Sequence, residues 1–189
     1  AALMLVASFS CHRESKISFT SGIIGNDDSV VAPSKLGFTE FLAKRDGQKL
    51  SAYCNAVRVN DGRVLTAGHC LTGMKNIDLV HLSLNRFGQH FQLDASIDLS
   101  IGASLGAVAP SNSIEIYKDE LGKTVTLEST WFDIQLGKWK VSRGTGTIDG
   151  NLLIHDLDIK PGSSGSGLYV VDAHGVKKLV AIHLGHLDY

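Results

Sequence analysis

The sequence predicts an all-β protein, a sandwich or a barrel, because short strand-like runs alternate with turn signals along the whole chain. The turn signals include an Asn-Asp-Gly stretch at residues 60–62 and an Asp-Gly-Asn stretch at residues 149–151. Glycine is plentiful, with 20 residues, whereas proline is scarce, with 3. Strands at this spacing, joined by hairpin turns, are typical of antiparallel β folds.

Composition excludes several other classes of protein. The chain has 189 residues, of which 43% are apolar and 20% charged. These values are ordinary for a globular protein, so a disordered chain, a collagen-like repeat and a coiled coil are excluded. The net charge of −1 gives no basic surface of the kind that binds nucleic acid, and we expect no nucleic-acid partner.

The first element is an apolar run at residues 2–9. It is too short to span a bilayer, which needs roughly 20 residues, and it predicts the core of a secretory leader. Cys11 follows small residues, as at a bacterial lipoprotein processing site. The alternative is a buried N-terminal strand, because short apolar runs do not distinguish the two.

The remaining elements follow in two halves. Pro110 and several serines mark residues 106–112 as a linker, and a weak helical pattern covers residues 35–45. The strand-like runs lie at residues 56–59, 64–66, 80–84 and 99–101 before the linker, and at residues 125–127, 139–141, 152–154, 168–171 and 179–182 after it.

Three segments carry residues suited to acyl transfer. TAGHC at residues 66–70 contains His69, Asp98 precedes an apolar run, and PGSSGSG at residues 161–167 contains Ser164. A serine hydroxyl is a poor nucleophile unless a base takes its proton. A histidine can do so near neutral pH when an acid fixes its tautomer.

The glycines of the serine segment predict a sharp turn. In such a turn the N–H groups of Gly162 and Ser164 converge on one point, where they could stabilise an oxyanion. Side chains at Gly162 and Gly165 would hinder the turn or the approach of a substrate.

TAGHC, the acid and GSSGSG, in that order, resemble the chymotrypsin-like serine endopeptidase superfamily. The resemblance implies two antiparallel six-stranded β-barrels with the active site in the cleft between them. It assigns His69 and Asp98 to the first barrel and Ser164 to the second, and it implies protein or peptide substrates with no cofactor and no metal. The domains implied are a leader at residues 1–22 and barrels at residues 23–105 and 106–189.

The same resemblance implies a disulfide between Cys54 and Cys70, the cysteine next to the catalytic histidine. A disulfide indicates an oxidising compartment, in agreement with export. Cys11 is then left over, which indicates either a lipid anchor or removal with the leader.

Several residues compete for these roles. Asp94 is the rival of Asp98, and Ser163 and Ser166 are rivals of Ser164, although only Ser164 has a glycine two positions before and one after it. The other histidines, His155 among them, are expected to be surface or strand residues. We expect no metal site, because no cysteine or acid completes a zinc spacing.

Residues 181–185 resemble the bacterial glutamyl-endopeptidase branch, in which a histidine of this strand lines the primary specificity pocket. The resemblance places His183, Asp158, Ile159 and Gly185 at the pocket and implies cleavage after acidic or glutamine residues. Asp158 lies six positions before Ser164, where trypsin-type enzymes carry their selector for basic residues. A basic preference is therefore the alternative.

These features predict a monomeric bacterial endopeptidase that is secreted or held at the envelope. The rivals are an inactive homologue used for binding or adhesion, an enzyme with another acyl acceptor, and an envelope lipoprotein. Relatives continue with another pocket strand and a terminal helix, whereas this sequence stops at Tyr189. We therefore expect the second barrel to be truncated or to close in a reduced way.

Overall fold

The computed structural model describes residues 6–12, 16–18, 27–46, 49–70, 80–81, 87–94, 99–104, 112–118, 121, 124–133, 135–149 and 152–188. These residues form fifteen strands and one turn of 3-10 helix, at Gly68–Cys70. The strands are β1 (Val6–His12), β2 (Lys16–Ser18), β3 (Val30–Val31), β4 (Thr39–Asp46), β5 (Lys49–Arg58), β6 (Arg63–Ala67), β7 (Val80–His81), β8 (Phe87–Asp94), β9 (Leu99–Ser104), β10 (Glu115–Ile116), β11 (Thr124–Asp133), β12 (Lys138–Asp149), β13 (Leu152–His155), β14 (Gly167–Val171) and β15 (Lys177–Asp188).

The prediction of an all-β fold is confirmed. The expectation of a helix at residues 35–45, which came from a weak helical pattern, is wrong. Most of that segment is β4, which pairs with β5 on one side and with β7 on the other. Pairing on both sides overrides a weak local preference for helix. No helix in the described part of the chain has the length and apolar character needed to cross a membrane.

The first sheet has six antiparallel strands in the order β7-β4-β5-β6-β9-β8. Its strands carry the first half of the candidate site. β6 leads directly into the 3-10 turn that contains His69, and β9 begins one residue after Asp98. The register pairs Ala67 of β6 with Leu99 of β9, so the backbone after Asp98 runs beside the backbone before His69.

The second sheet has nine strands, six of which pair in a closed cycle. The cycle runs β13-β12-β11-β14-β15, and β1 pairs in parallel with both β13 and β15 to complete it. In the first sheet the end strands β7 and β8 are not paired with each other among the described residues. Two complete six-stranded barrels therefore stay a prediction.

The two halves share an apolar core. One buried cluster contains Val57 and Leu65 of the first sheet together with Tyr169 and Ile182 of the second. Burying one such aliphatic side chain stabilises a protein by roughly 1.5–3 kcal/mol. This cluster therefore fixes the two sheets against each other beside the strands that carry the candidate site. A second cluster lies within the second sheet around Trp131.

Candidate active site

His69 lies in a turn that a disulfide ties to the neighbouring strand. Cys70 and Cys54 of β5 form the expected disulfide, with Cα atoms 6.1 Å apart. Gly68 and Cys70 are buried, whereas His69 is partly exposed. A ring nitrogen of His69 lies within 4.8 Å of both sulfurs. Because the two sulfurs are bonded to each other, they offer no thiolate to a metal.

Ser164 lies in a loop of two successive turns between Lys160 and Ser166. Ser163 N–H donates to Lys160 O at 3.0 Å, and Ser166 N–H donates to Ser163 O at 2.9 Å. Gly162 and Gly165 have φ angles of +90° and +82°, in the left-handed region that favours glycine. The N–H groups of Gly162 and Ser164 have no hydrogen-bond acceptor within the described part of the chain. Both are therefore available to a substrate oxygen.

Asn55 joins the serine loop to the first sheet. Its N–H donates to Ser164 O at 2.7 Å, and its own carbonyl accepts the Thr66 hydroxyl at 2.7 Å. Asn55 directly follows Cys54, and Thr66 lies three residues before His69. The structure thus brings the Ser164 backbone against the disulfide-bonded segment that carries His69.

The predicted acid of the site belongs to the segment between β8 and β9. Asp98 lies outside the described residues, and only the backbone of its rival Asp94 is described. Leu99 pairs with Ala67 on one side and with Asp94 on the other. Both acids therefore stay candidates.

His183 is fixed to the serine loop through its backbone. Gly165 N–H donates to His183 O at 2.8 Å, and His183 N–H donates to Ser166 O at 2.8 Å. The side chain of His183 is 1% exposed and touches that of His155, which is 2% exposed. His155 is a strand residue, one of the two positions expected for it, and alternation along β13 puts it on the same buried face as Leu153.

The hydrogen bonds of the two histidines define their tautomers. Leu157 N–H donates to His155 Nδ1 at 3.3 Å, so that nitrogen is an acceptor. In a neutral His155 the proton is then on Nε2, which lies 3.2 Å from His183 Nδ1 and donates to it. A neutral His183 consequently carries its proton on Nε2. Sequence reasoning missed this pair, because the two histidines belong to different strands and are 28 positions apart in the chain.

The other three expected pocket residues are all buried, in different surroundings. Asp158 is 4% exposed, and its Oδ2 accepts the N–H of Asp28 at 2.8 Å. Ile159 packs in the apolar core of the second sheet, and Gly185 is a buried residue of β15.

The segment at residues 27–31, which we call the strap, packs on the loop before Ser164. Asp27 forms an ion pair with Lys160 at 2.7 Å. Burial alone would raise the pKa of Asp27, but hydrogen bonds from Lys160 and Ser29 lower it to about 2. A hydrogen bond with the Asp158 carboxyl raises the pKa of Asp28, and burial and neighbouring carboxylates act in the same direction.

Comparison with known proteins agrees with this architecture at the level of fold. No protein-family model matches the sequence, and no curated protein matches it either. Among solved structures, the chain is similar to Rv3671c from M. tuberculosis H37Rv, solved as a serine-to-alanine mutant in an inactive form. The identity is 14%, the match covers 78% of this chain and 83% of that chain, and the TM-score is 0.53. The likeness supports a trypsin-like fold, whereas the glutamyl-endopeptidase branch stays a prediction.

Proposed function

We propose that the protein is a serine endopeptidase that forms an acyl-enzyme on Ser164. The observation that carries the proposal is the link through Asn55, whose N–H binds Ser164 O and whose neighbour Cys54 is bonded to Cys70, next to His69. A solved structure of similar fold is that of a serine-to-alanine mutant in an inactive form, which supports a role for a serine in a protein of this architecture.

In the proposed mechanism Ser164 Oγ attacks a peptide carbonyl while His69 takes its proton. The N–H groups of Gly162 and Ser164 stabilise the oxyanion that forms. His69 then gives the proton to the leaving amine, and water releases the acyl group by the reverse steps. Asp98 is the proposed acid, since β9 begins beside Ala67 immediately after it.

For specificity we propose acidic or glutamine residues before the cleaved bond. The proposal rests on the resemblance of residues 181–185 to the glutamyl-endopeptidase branch and on the backbone hydrogen bonds that join His183 to the serine loop. The basic alternative is less well supported, because the Asp158 carboxylate accepts a hydrogen bond from Asp28. We also propose domain boundaries at residues 22 and 105. For the protein as a whole we propose a secreted or envelope location, a lipid anchor at Cys11 and a monomeric state.

A fluorophosphonate probe tests the reaction class. We expect stoichiometric labelling of the protein, no label on Ser164→Ala, and retained label on Ser163→Ala and Ser166→Ala. The neighbouring serines are matched controls, since they share the loop. An unlabelled wild-type protein would instead support the binding or adhesion homologue.

Variants of the triad test the base and the acid. We expect His69→Ala to lose nearly all hydrolysis, and Asp98→Asn to lose about 10⁴-fold in kcat because the histidine would hold the wrong tautomer. Asp94→Asn is the matched control and should keep its activity. The reverse result for the two aspartates would move the acid to Asp94.

A peptide library tests the specificity. We expect cleavage after glutamate or glutamine, with His183→Ala losing that preference. Cleavage after lysine and arginine, lost in Asp158→Asn, would establish the basic alternative. Cutting only after large apolar residues would exclude both.

A further inference from the structure

The side chain of Asn55 makes two hydrogen bonds that the triad does not explain. Asn55 is 1% exposed. Its Nδ2 donates to Gly162 O at 2.8 Å, and its Oδ1 accepts the N–H of Phe132 in β11 at 2.9 Å. The amide therefore joins the serine loop to a strand of the second sheet.

The backbone bonds of Asn55 are independent of that amide. Its N–H binds Ser164 O, and its carbonyl binds the Thr66 hydroxyl, whatever the side chain is. Substitution of the side chain consequently removes or alters the hydrogen bonds to Gly162 and Phe132, whereas the backbone hydrogen bond to Ser164 O stays in place.

Gly162 is the residue that needs to be held. Its φ of +90° is accessible because glycine has no Cβ, and the same freedom lets glycine adopt other conformations. The peptide group between Gly162 and Ser163 is fixed at both ends. Its N–H donates a hydrogen bond to Lys160 O, and its carbonyl accepts one from Asn55 Nδ2. If that carbonyl were released, Gly162 could rotate and turn its own N–H away from the oxyanion.

The second oxyanion donor has a separate support. Ser166 N–H holds Ser163 O, and this fixes the peptide that carries the N–H of Ser164. The two donors are therefore positioned by different groups, and only the one on Gly162 depends on a side chain.

We propose that Asn55 is a positioning residue that keeps the N–H of Gly162 directed at the oxyanion, an inference that rests on the proposed serine endopeptidase function. The side chain acts in the transition state through Gly162, without touching the substrate. Its loss should therefore lower kcat and leave KM nearly unchanged.

The sharpest variant is Asn55→Asp, which keeps the acceptor for Phe132 and replaces the donor to Gly162 with a carboxylate oxygen. With a peptide p-nitroanilide ending in glutamate or glutamine, we expect kcat per fluorophosphonate-titrated site to fall about 10- to 100-fold, somewhat less than loss of a whole oxyanion donor. KM should stay within about twofold. Affinity for the matching peptide aldehyde, which forms a tetrahedral adduct, should fall by the same factor as kcat.

Protonation provides a readout that a purely structural role would not change. A protonated aspartic acid has an O–H donor that can restore the bond to Gly162 O. The ratio of variant to wild-type kcat should therefore rise as the pH falls. Asn55→Ala, which lacks both groups, should show no such recovery, and Asn60→Asp, an exposed asparagine of the same half, should match the wild type.

Hydrogen exchange at Ser163 separates this proposal from the proposed function. The N–H of Ser163 shares a peptide with Gly162 O, and it should exchange faster in both Asn55 variants. Unchanged exchange, or kcat and aldehyde affinity within twofold of wild type, would overturn the role of Asn55. A wild type that neither hydrolyses peptides nor reacts with the fluorophosphonate would instead overturn the serine endopeptidase, with the exchange result still deciding whether Asn55 holds the loop.

Discussion

Gly165 shows how closely the serine loop approaches the first sheet. A Cβ at this position would lie 2.0 Å from Asn55 O and 2.3 Å from Thr66 Oγ1. The φ of +82° adds strain for any other residue. The absence of a Cβ at position 165 therefore permits the close contact that places Ser164 beside the segment carrying His69.

We expect Gly165→Ala to lower the free energy of unfolding by more than about 3 kcal/mol, because a backbone clash adds to the cost of a left-handed alanine. Gly175→Ala is the matched control, since its φ is +78° and nothing lies within 4 Å of an added Cβ. It should cost only about 1 kcal/mol. Urea denaturation of both variants measures the difference, and equal losses would show that the close contact does not contribute.

Single residues also show how far the sequence could predict the site. The sharp turn around Ser164 was predictable because the glycines on either side of it form a local pattern, whereas the roles of Ser164 and His69 stay predictions. The histidine pair was not predictable, since His155 and His183 lie on different strands and meet only after β13 and β15 are placed in one sheet. Asn55 had no sequence signal, because an asparagine within a strand resembles any other polar residue until its four partners are known.

At the scale of elements, the strap places the carboxyl groups of Asp27 and Asp28 next to the charged residues of the loop before Ser164. β3 pairs with β12, and Ala32 N–H donates to Trp139 O at 2.8 Å. Asp27 and Asp28 are adjacent and have opposite pKa shifts. Their ionisation therefore affects the docking of the strap in opposite senses.

The lowered pKa of Asp27 contributes stability that is present above its unfolded value of 3.8 and is lost as the pH falls towards about 2. The raised pKa of Asp28 contributes stability that is present below its unfolded value and is lost as the pH rises through the folded one. The strap should thus dock best close to and just above pH 3.8, the unfolded value of both carboxyls, where the Asp27 contribution is present and the Asp28 contribution is not yet lost.

Near neutral pH we expect Asp28→Asn to slow hydrogen exchange at Ala32, because it removes a negative charge facing Asp158. The neighbouring Asp27→Asn should accelerate exchange there, since Lys160 loses its partner. NMR exchange rates across a pH series measure both effects. Identical rates in the two variants would contradict the assignment of opposite roles to the two carboxyls.

At the scale of the whole molecule, the position of β1 decides whether the second sheet closes. Phe9 pairs with Ile154 of β13 and with Gly185 of β15, so the segment lies between the two strands that carry His155 and His183. The sequence could not predict this pairing, because an apolar run fits a leader and a buried strand equally well and its partners lie more than a hundred residues away. Without β1 both neighbours would have an unpaired edge, which favours association with other chains.

Deleting residues 1–12 should therefore lower the free energy of unfolding on the order of 5 kcal/mol, given about 0.5–1.5 kcal/mol for each net hydrogen bond lost. We also expect concentration-dependent association, which sedimentation velocity would detect. A synthetic peptide of residues 1–18 should restore the stability of the deleted protein. A leader cleaved before residue 23 would remove β1 as well, so N-terminal sequencing of active protein tests the two expectations against each other. Active monomer beginning at Ile23 would show that the second half folds without β1, whereas active protein that retains residues 6–12 would make this segment the sixth strand of its cycle.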